Sequence, residues 1–230
     1  MKTFLLTFLL IVSASVFAQE RIALELLIDD SGVLLDAQEA DRYKLMLLAH
    51  VKALATKREG ANTKIEVIST ALGRTVWSGT PLTLRRDPAR AQDLVAAIKA
   101  DPARCNALPG AFRELQSNLA QLERAGVNEI HIIVFSSLIH TPRPCADVTE
   151  ITLPQLPPTD GDIPGAFAAS THISSVSFFW VSPHQKFVWE GFLESAFKTL
   201  RQNGARVRFL DVERSKEALR TAPFTLGETP

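Results

Sequence analysis

The sequence predicts a three-layer α/β fold, in which helices cover both faces of a mostly parallel central sheet that carries one antiparallel hairpin at its edge. Two nearly continuous apolar runs, residues 129–135 and 174–181, are typical of strands that are buried on both faces. Segments with apolar residues at helical spacing alternate with the strands. A pair of short strands around a glycine-containing turn predicts the hairpin.

The first predicted strand, residues 24–28, is apolar and leads directly into Asp29, Asp30 and Ser31. Residues 36–57 follow with apolar side chains at the spacing of a long helix that has a wide buried face. Open α/β sheets place their ligand sites at the carboxyl ends of such strands. These polar side chains therefore lie where a ligand site is expected.

A hairpin and two helices are expected next. Residues 64–68 alternate polar and apolar side chains, and a turn at residues 72–74 leads into a second short strand, residues 75–77. Residues 88–100 begin with a proline after an aspartate, which is typical of the first turn of a helix. Residues 108–125 continue the helical pattern up to a glycine.

Prolines and glycines interrupt residues 138–171, so a long loop is expected there. Loops of this length are often functional in compact domains. After the strand at residues 174–181, we expect one amphipathic helix over residues 185–202, a last strand over residues 205–211 and a short helix over residues 215–220.

The first residues have the pattern of a signal peptide. Lys2 supplies positive charge, residues 4–12 form a short apolar core and residues 16–18 suit a cleavage site. The core is shorter than the roughly 20 residues that span a bilayer. We therefore expect residues 1–18 to be removed from a periplasmic or secreted protein that inserts no further segment into a membrane.

Removal of the signal leaves one expected domain, residues 19–214, which contains the long loop 138–171, and a C-terminal tail, residues 215–230. The precursor has 25 Lys plus Arg and 25 Asp plus Glu. This balance gives no electrostatic reason to expect nucleic acid or a membrane surface as a partner.

The chain has two cysteines, Cys105 and Cys145, and export favours a disulfide between them. Two alternatives remain open from the residues alone. The thiols could stay reduced and buried, or they could bind a metal together with His140 and Asp147. Two cysteines without CxxC spacing are weak support for zinc.

In its order of elements the chain resembles the von Willebrand factor type A domain. That family begins with a buried strand that ends in Asp-x-Ser-x-Ser and continues with the same succession, hairpin included. Asp29 and Ser31 occupy the first two motif positions, whereas Val33 replaces the second serine. The resemblance covers residues 21–211 and implies the three-layer fold.

The resemblance also implies a metal-ion-dependent adhesion site, which the family completes with a threonine before a middle helix and an aspartate after the fourth strand. Asn106 and Ser136 are the nearest polar residues at those places, so only Asp29 and Ser31 carry over as metal ligands. Magnesium and calcium take about six oxygens. We therefore expect no firmly bound cofactor and only a weak Mg²⁺ or Ca²⁺ site on a degenerate face. In this family the loops that carry the two cysteines border the same face.

The same residues also resemble the motif of a second family. The segment from Ile28 to Leu34 also resembles the haloacid dehalogenase signature Asp-x-Asp-Gly-Val-Leu, with Ser31 in place of the second aspartate. Those phosphotransferases use the first aspartate, here Asp29, as nucleophile and need the second as acid and base. They also need an acidic pair after a later strand, where this chain has only Asp211.

The expected function is that of an exported, non-enzymatic domain that binds or assembles with another protein of the cell envelope. The binding face is expected to include the proline-rich loop 138–171 and the side chains of Asp29, Ser31, Asn106 and Ser136. One alternative is a divalent-cation-dependent adhesion module, in which Asp29 and Ser31 are joined by one or more further ligands: Asp30, Asn106, Ser136 or Asp147. Another alternative is a phosphate-handling hydrolase of the haloacid dehalogenase type.

Aromatic residues are concentrated in the carboxyl-terminal third, and their spacing is that of core residues. Phe187 and Trp189 lie near the start of their predicted helix. For these two residues an alternative is a partly exposed interface anchor.

Overall fold

The computed structural model describes residues 21–57, 60–141, 156–159 and 162–221. Over these ranges the strands are β1 Ile22–Ile28, β2 Lys64–Ser69, β3 Arg74–Gly79, β4 Glu129–Phe135, β5 Ile173–Val181 and β6 Arg206–Asp211. The helices are α1 Ala37–Ala53, α2 Pro81–Arg86, α3 Pro88–Ile98, α4 Leu108–Arg124, α5 Ile163–Ala166, α6 Pro183–Phe192, α7 Glu194–Gln202 and α8 Val212–Thr221.

The six strands form one sheet in the order β3-β2-β1-β4-β5-β6. Only the β2–β3 pair is antiparallel, and the other four pairs are parallel. The predicted α/β architecture with one antiparallel edge hairpin is therefore confirmed. The chain builds outward from β1 to β3 and then returns to the other side of β1 with β4. Such a reversal opens a crevice at the carboxyl ends of β1 and β4.

Two apolar clusters fill the space on either side of the sheet. On one side α4, α5, α6 and α7 cover the sheet, and Phe112, Phe178 and Trp189 are buried there. On the other side α1, α3 and α8 cover it, with Leu47 and Trp180 among the buried residues. The helices thus form two outer layers, as the sequence predicts.

The predicted single helix over residues 185–202 is wrong, because α6 ends at Phe192 and α7 begins at Glu194. Leu193 separates them with φ −95° and ψ 2°, outside the helical region. Its side chain is fully buried. Packing of this side chain into the core therefore accompanies a break that amphipathic spacing alone does not reveal.

Phe187 and Trp189, two of the three aromatic residues of α6, differ in their environment. Trp189 is buried, and its indole Nε1 donates to the Leu138 oxygen at 3.0 Å, so the predicted core position is confirmed for this residue and the alternative of an exposed anchor is wrong. Phe187 is 84% exposed, so the predicted core position is wrong for this residue and its exposure agrees with the alternative.

Two short helices were not predicted. Helix α2 begins at a proline and is capped by the Thr80 hydroxyl, which accepts from the Thr83 amide at 3.1 Å. Helix α5 lies inside the expected long loop, and the Asp162 carboxylate caps it. The signal peptide, Cys145 and Asp147 lie outside the described residues. None of the helices in the described ranges is long and apolar enough to cross a membrane.

Candidate functional site

The candidate site lies in the crevice between the ends of β1 and β4. Asp29 directly follows β1, and its amide donates to the Phe135 oxygen at the end of β4 at 2.9 Å. Ser136 directly follows β4. The strand order therefore brings together two polar residues that are 107 positions apart in the chain.

A loop formed by residues 101–107 closes the crevice from above the sheet. The Gly32 amide donates to the Arg104 oxygen at 3.0 Å, and the Ala107 amide donates to the Thr70 oxygen at 3.1 Å. A Cβ atom at Gly32 would lie 2.6 Å from the Pro102 oxygen. Only glycine permits this approach of the two backbones.

The four residues predicted for the binding face form one hydrogen-bonded cluster around the Asp29 carboxylate. Asp29 Oδ1 accepts from the Ser31 amide at 3.1 Å and from the Ser31 hydroxyl at 2.6 Å. Asp29 Oδ2 accepts from Asn106 Nδ2 at 2.9 Å and from the Ser136 hydroxyl at 2.8 Å. A carboxylate offers about four lone-pair positions. All of them are therefore used by donors of the protein itself.

The cluster is closed to solvent, because Asp29, Ser31, Asn106 and Ser136 each have 0% exposed surface. Burial raises the pKa of Asp29 above its ordinary value, while hydrogen bonds from Ser31 and Ser136 oppose the shift. A buried carboxyl group is tolerated when hydrogen bonds replace its water. In this conformation a partner protein would contact the surrounding loops rather than these four side chains.

Asn106 also fastens the first residues of the long loop. Its side-chain Nδ2 donates to the Ile139 oxygen at 2.7 Å, and its backbone amide donates to the Thr141 hydroxyl at 2.8 Å. The backbone carbonyl oxygen of Asn106 accepts from the Thr141 amide at 3.0 Å and from His140 Nδ1 at 2.9 Å. Asn106 thus joins the loop before α4 to the loop after β4.

Asp30 makes a second set of contacts, which the sequence did not predict. Its Oδ1 accepts from the Ser69 hydroxyl at 2.6 Å and from the Ala71 amide at 3.1 Å. Its Oδ2 forms an ion pair with the Arg104 guanidinium at 2.6 Å. Arg104 also pairs with Asp101 at 3.1 Å. Asp30 therefore holds the loop of residues 101–107, which we call the covering loop. Asp30 and Arg104 are 74 residues apart in the chain, so no local sequence pattern indicates this ion pair.

The cluster does not fit the divalent cation that the resembled family binds. Asn106 directs its amide nitrogen, a hydrogen-bond donor, at Asp29, since that nitrogen also meets the Ile139 oxygen. Magnesium and calcium need several free oxygen ligands. Among the described residues there is no group of three or more His, Cys, Asp or Glu side chains that could hold a metal.

Cys105 precedes Asn106 and is buried. Its predicted partner, Cys145, lies outside the described residues, so the pairing of these two cysteines stays a prediction.

Comparison with known proteins gives a likeness in fold. No protein-family model and no curated protein matches the sequence. The D319A mutant of the PilB minor pilin from Streptococcus sanguinis is similar at a TM-score of 0.50 and 11% identity, over 89% of this chain and 61% of that one. The pilus adhesin SpaC from Lactobacillus rhamnosus GG, in its open conformation, is similar at a TM-score of 0.52 and 10% identity, over 87% of this chain and 29% of that one.

These identities are too low to show more than a shared fold. This chain spans less than two thirds of either relative. The mixed sheet fits the von Willebrand factor type A resemblance, while the adhesion motif of that family is incomplete, because Val33 stands at its last position.

Proposed function

We propose that this protein is an exported, non-enzymatic domain that binds another protein of the cell envelope. The proposed binding surface is the strand-end face, which we define as the loops at residues 31–36, 70–73 and 101–107 together with the proline-rich loop 138–171. The observation that carries the proposal is the complete internal hydrogen bonding of Asp29. A polar cluster that is closed in this way orders loops and leaves no reactive group free.

The closed cluster argues against the hydrolase alternative. A nucleophile must reach its substrate, yet Asp29 is fully buried and both of its carboxylate oxygens already accept hydrogen bonds. The position of the second catalytic aspartate is taken by Ser31, whose hydroxyl donates to Asp29.

The surface above the cluster has the character of a protein-binding face. The loops of this face expose Gly32, Leu72, Pro102 and Ala103, a rim of small and apolar residues. The contacts of Asn106 and Asp30 beneath this rim hold the loops in one arrangement. Binding through preordered loops costs less conformational entropy than binding through mobile ones.

The two pilus proteins with a similar fold support this proposal by analogy only. One is named a minor pilin and the other a pilus adhesin. Unrelated functions occur on one fold, so the likeness adds weight to a role in envelope assembly or adhesion and names no partner.

Affinity capture from the native envelope, with the mature domain as bait, tests the proposal. We expect a reproducible partner that is lost with Ala103→Glu, and also when a short Gly-Ser linker replaces residues 147–155, which keeps Cys145 in place. Asn62→Glu is the matched control, since Asn62 is exposed near the opposite end of the sheet. A partner that is retained by all three variants would contradict the proposed surface.

Calorimetric titration with Mg²⁺, Mn²⁺ and Ca²⁺ separates the cation-dependent alternative. We expect no saturable binding by the native domain. The triple substitution Val33→Ser, Asn106→Thr and Ser136→Asp restores the motif of the resembled family and serves as the positive control. Saturable binding by the native chain that Asp29→Ala abolishes would establish an adhesion module that uses a cation instead.

The hydrolase alternative has its own measurement. We expect no turnover of p-nitrophenyl phosphate above that of buffer. Turnover that disappears with Asp29→Ala would replace the proposal with the phosphate-handling function.

A further inference from the structure

A cavity of about 340 Å³ lies beside the last strand, between α6, α7 and β6. Its floor consists of two aromatic side chains, Phe197 and Phe209, which are buried. Phe209 stacks on Phe178 with 4.2 Å between ring centroids and 3° between ring planes. The floor is therefore a firmly packed aromatic surface rather than a mobile side chain.

The mouth of this cavity carries the most exposed aromatic side chain of the described residues. Phe187 lines the cavity and is 84% exposed. Gly191 lies beside it, and a Cβ atom there would meet nothing within 4 Å. The cavity thus combines an aromatic floor, an aromatic edge and free space at its entrance.

Three charged side chains line the same cavity. Glu190 is near the end of α6, Glu194 begins α7 and Arg201 lies two turns further along that helix. Seven residues of helix place Arg201 about 10 Å along the axis from Glu194. The two carboxylates, four positions apart, therefore form a negative end that is separate from the guanidinium.

Within the described part of the chain none of these three charged side chains forms an ion pair. Other surface carboxylates are paired, as Glu39 and Glu213 are with Lys216. Like charges at neighbouring helical positions repel each other, and Lys186 and Lys198, each four positions from one of the two glutamates of the cavity, form no ion pair with them in the described structure. A cation between these two glutamates would remove this repulsion.

We infer that the cavity receives a basic side chain, foremost an arginine, of a protein partner. Aromatic rings attract cations through their faces, and a planar guanidinium can stack on a ring while it donates to carboxylates. The lining offers both kinds of group, with the exposed Phe187 as the ring and Glu190 and Glu194 as acceptors. This second surface goes beyond the strand-end face and does not depend on it.

The test titrates the ¹⁵N-labelled protein with N-acetyl-arginine methylamide and follows the backbone amides by NMR. We expect saturable shifts confined to the amides around Phe187 and Gly191. The neutral isostere N-acetyl-citrulline methylamide is the matched probe, and we expect it to bind at least about fivefold more weakly because it lacks the charge.

Variants of the exposed rim locate the interaction. Glu190→Gln combined with Glu194→Gln is expected to weaken arginine binding by about threefold to tenfold. Arg201→Gln is expected to strengthen it, because a repelling cation is removed. An unchanged amide spectrum outside the cavity shows that each variant is folded.

Two results would overturn the inference: an equal response to the arginine and citrulline probes, or no saturable shift with either. Neither result affects the capture experiment with Ala103→Glu, because that substitution lies on the strand-end face. Failure of one surface is therefore distinguishable from failure of the other.

Discussion

Asp29 is the residue on which the strand-end site depends. It is fully buried, and four donors from Ser31, Asn106 and Ser136 surround its two oxygens. These donors are buried too. Without the carboxylate, Ser31 and Ser136 would lose their acceptor, and Asn106 Nδ2 would keep the Ile139 oxygen. Removal of the Asp29 side chain therefore costs free energy of folding for each of the donors that hydrogen-bond to it.

Replacement of Asp29 by alanine should lower the free energy of unfolding by at least about 3 kcal/mol, because several buried donors are left without an acceptor. Urea denaturation followed by circular dichroism measures this loss. Asp93→Ala, on the exposed side of α3, is the control and should change stability by less than about 0.5 kcal/mol. Equal stability of the Asp29 variant and the native protein would refute the structural role of the cluster.

At the scale of elements, the contact between β1 and α4 encloses a carboxyl group that the sequence did not single out. Glu25 lies in the middle of β1 and is buried, and its Oε2 accepts from Asn118 Nδ2 at 3.1 Å. Its Oε1 has no hydrogen-bond partner among the described residues. Burial raises the pKa of Glu25 to about 8, and repulsion from Glu66 and, more weakly, from Glu114 adds to this shift. The hydrogen bond from Asn118 and the positive charge of Lys64 oppose it.

The raised pKa of Glu25 predicts that the protein loses stability as the pH rises. The native state keeps a proton between the ordinary pKa of 4.5 and about 8, whereas the unfolded state releases it. Between about pH 5 and about pH 9 the free energy of unfolding should fall by something on the order of 4 kcal/mol. Urea denaturation of the native protein and of Glu25→Gln at both pH values measures this, and the variant should lose far less.

Glu217→Gln is the control for this pH dependence, because Glu217 is an exposed residue of α8. It should reproduce the native decline. A Glu25→Gln variant with the same decline as the native protein would show that another group is responsible.

The elements also show where local pattern succeeds. Strand β4 has the bounds that its apolar run predicts, because a strand buried on both faces needs apolar side chains throughout. The single helix expected over residues 185–202 fails, since α6 ends and α7 begins on either side of the buried Leu193. The periodicity of apolar residues indicates which face of a helix is buried. The position at which the helix breaks depends on the core residues that this face contacts.

At the scale of the whole molecule, the predicted disulfide between Cys105 and Cys145 would join the covering loop to the long loop. Cys105 is next to Asn106, which already binds Ile139 and Thr141 of that second loop. The bond would therefore reinforce contacts on which the strand-end face relies.

The mature protein should show no titratable thiol under denaturing, non-reducing conditions. Cys105→Ser combined with Cys145→Ser should lower the free energy of unfolding by about 3–4 kcal/mol, the value expected for a closed loop of about 40 residues. Thiol titration and urea denaturation measure the two effects. Two reactive thiols in the native chain would disprove the bond.

The sequence alone determined the kind and order of the strands and most of the helices, because periodicity of apolar residues is a local property. It also located Asp29 and Ser31 at a strand end, where a site was expected. Only the tertiary structure decided what the site is. Asn106 and Ser136 meet Asp29 across 77 and 107 residues, and the donors that they direct at its carboxylate follow from backbone positions in different loops. The orientation of these donors depends on three-dimensional packing, and the spacing of residues in the sequence does not predict it.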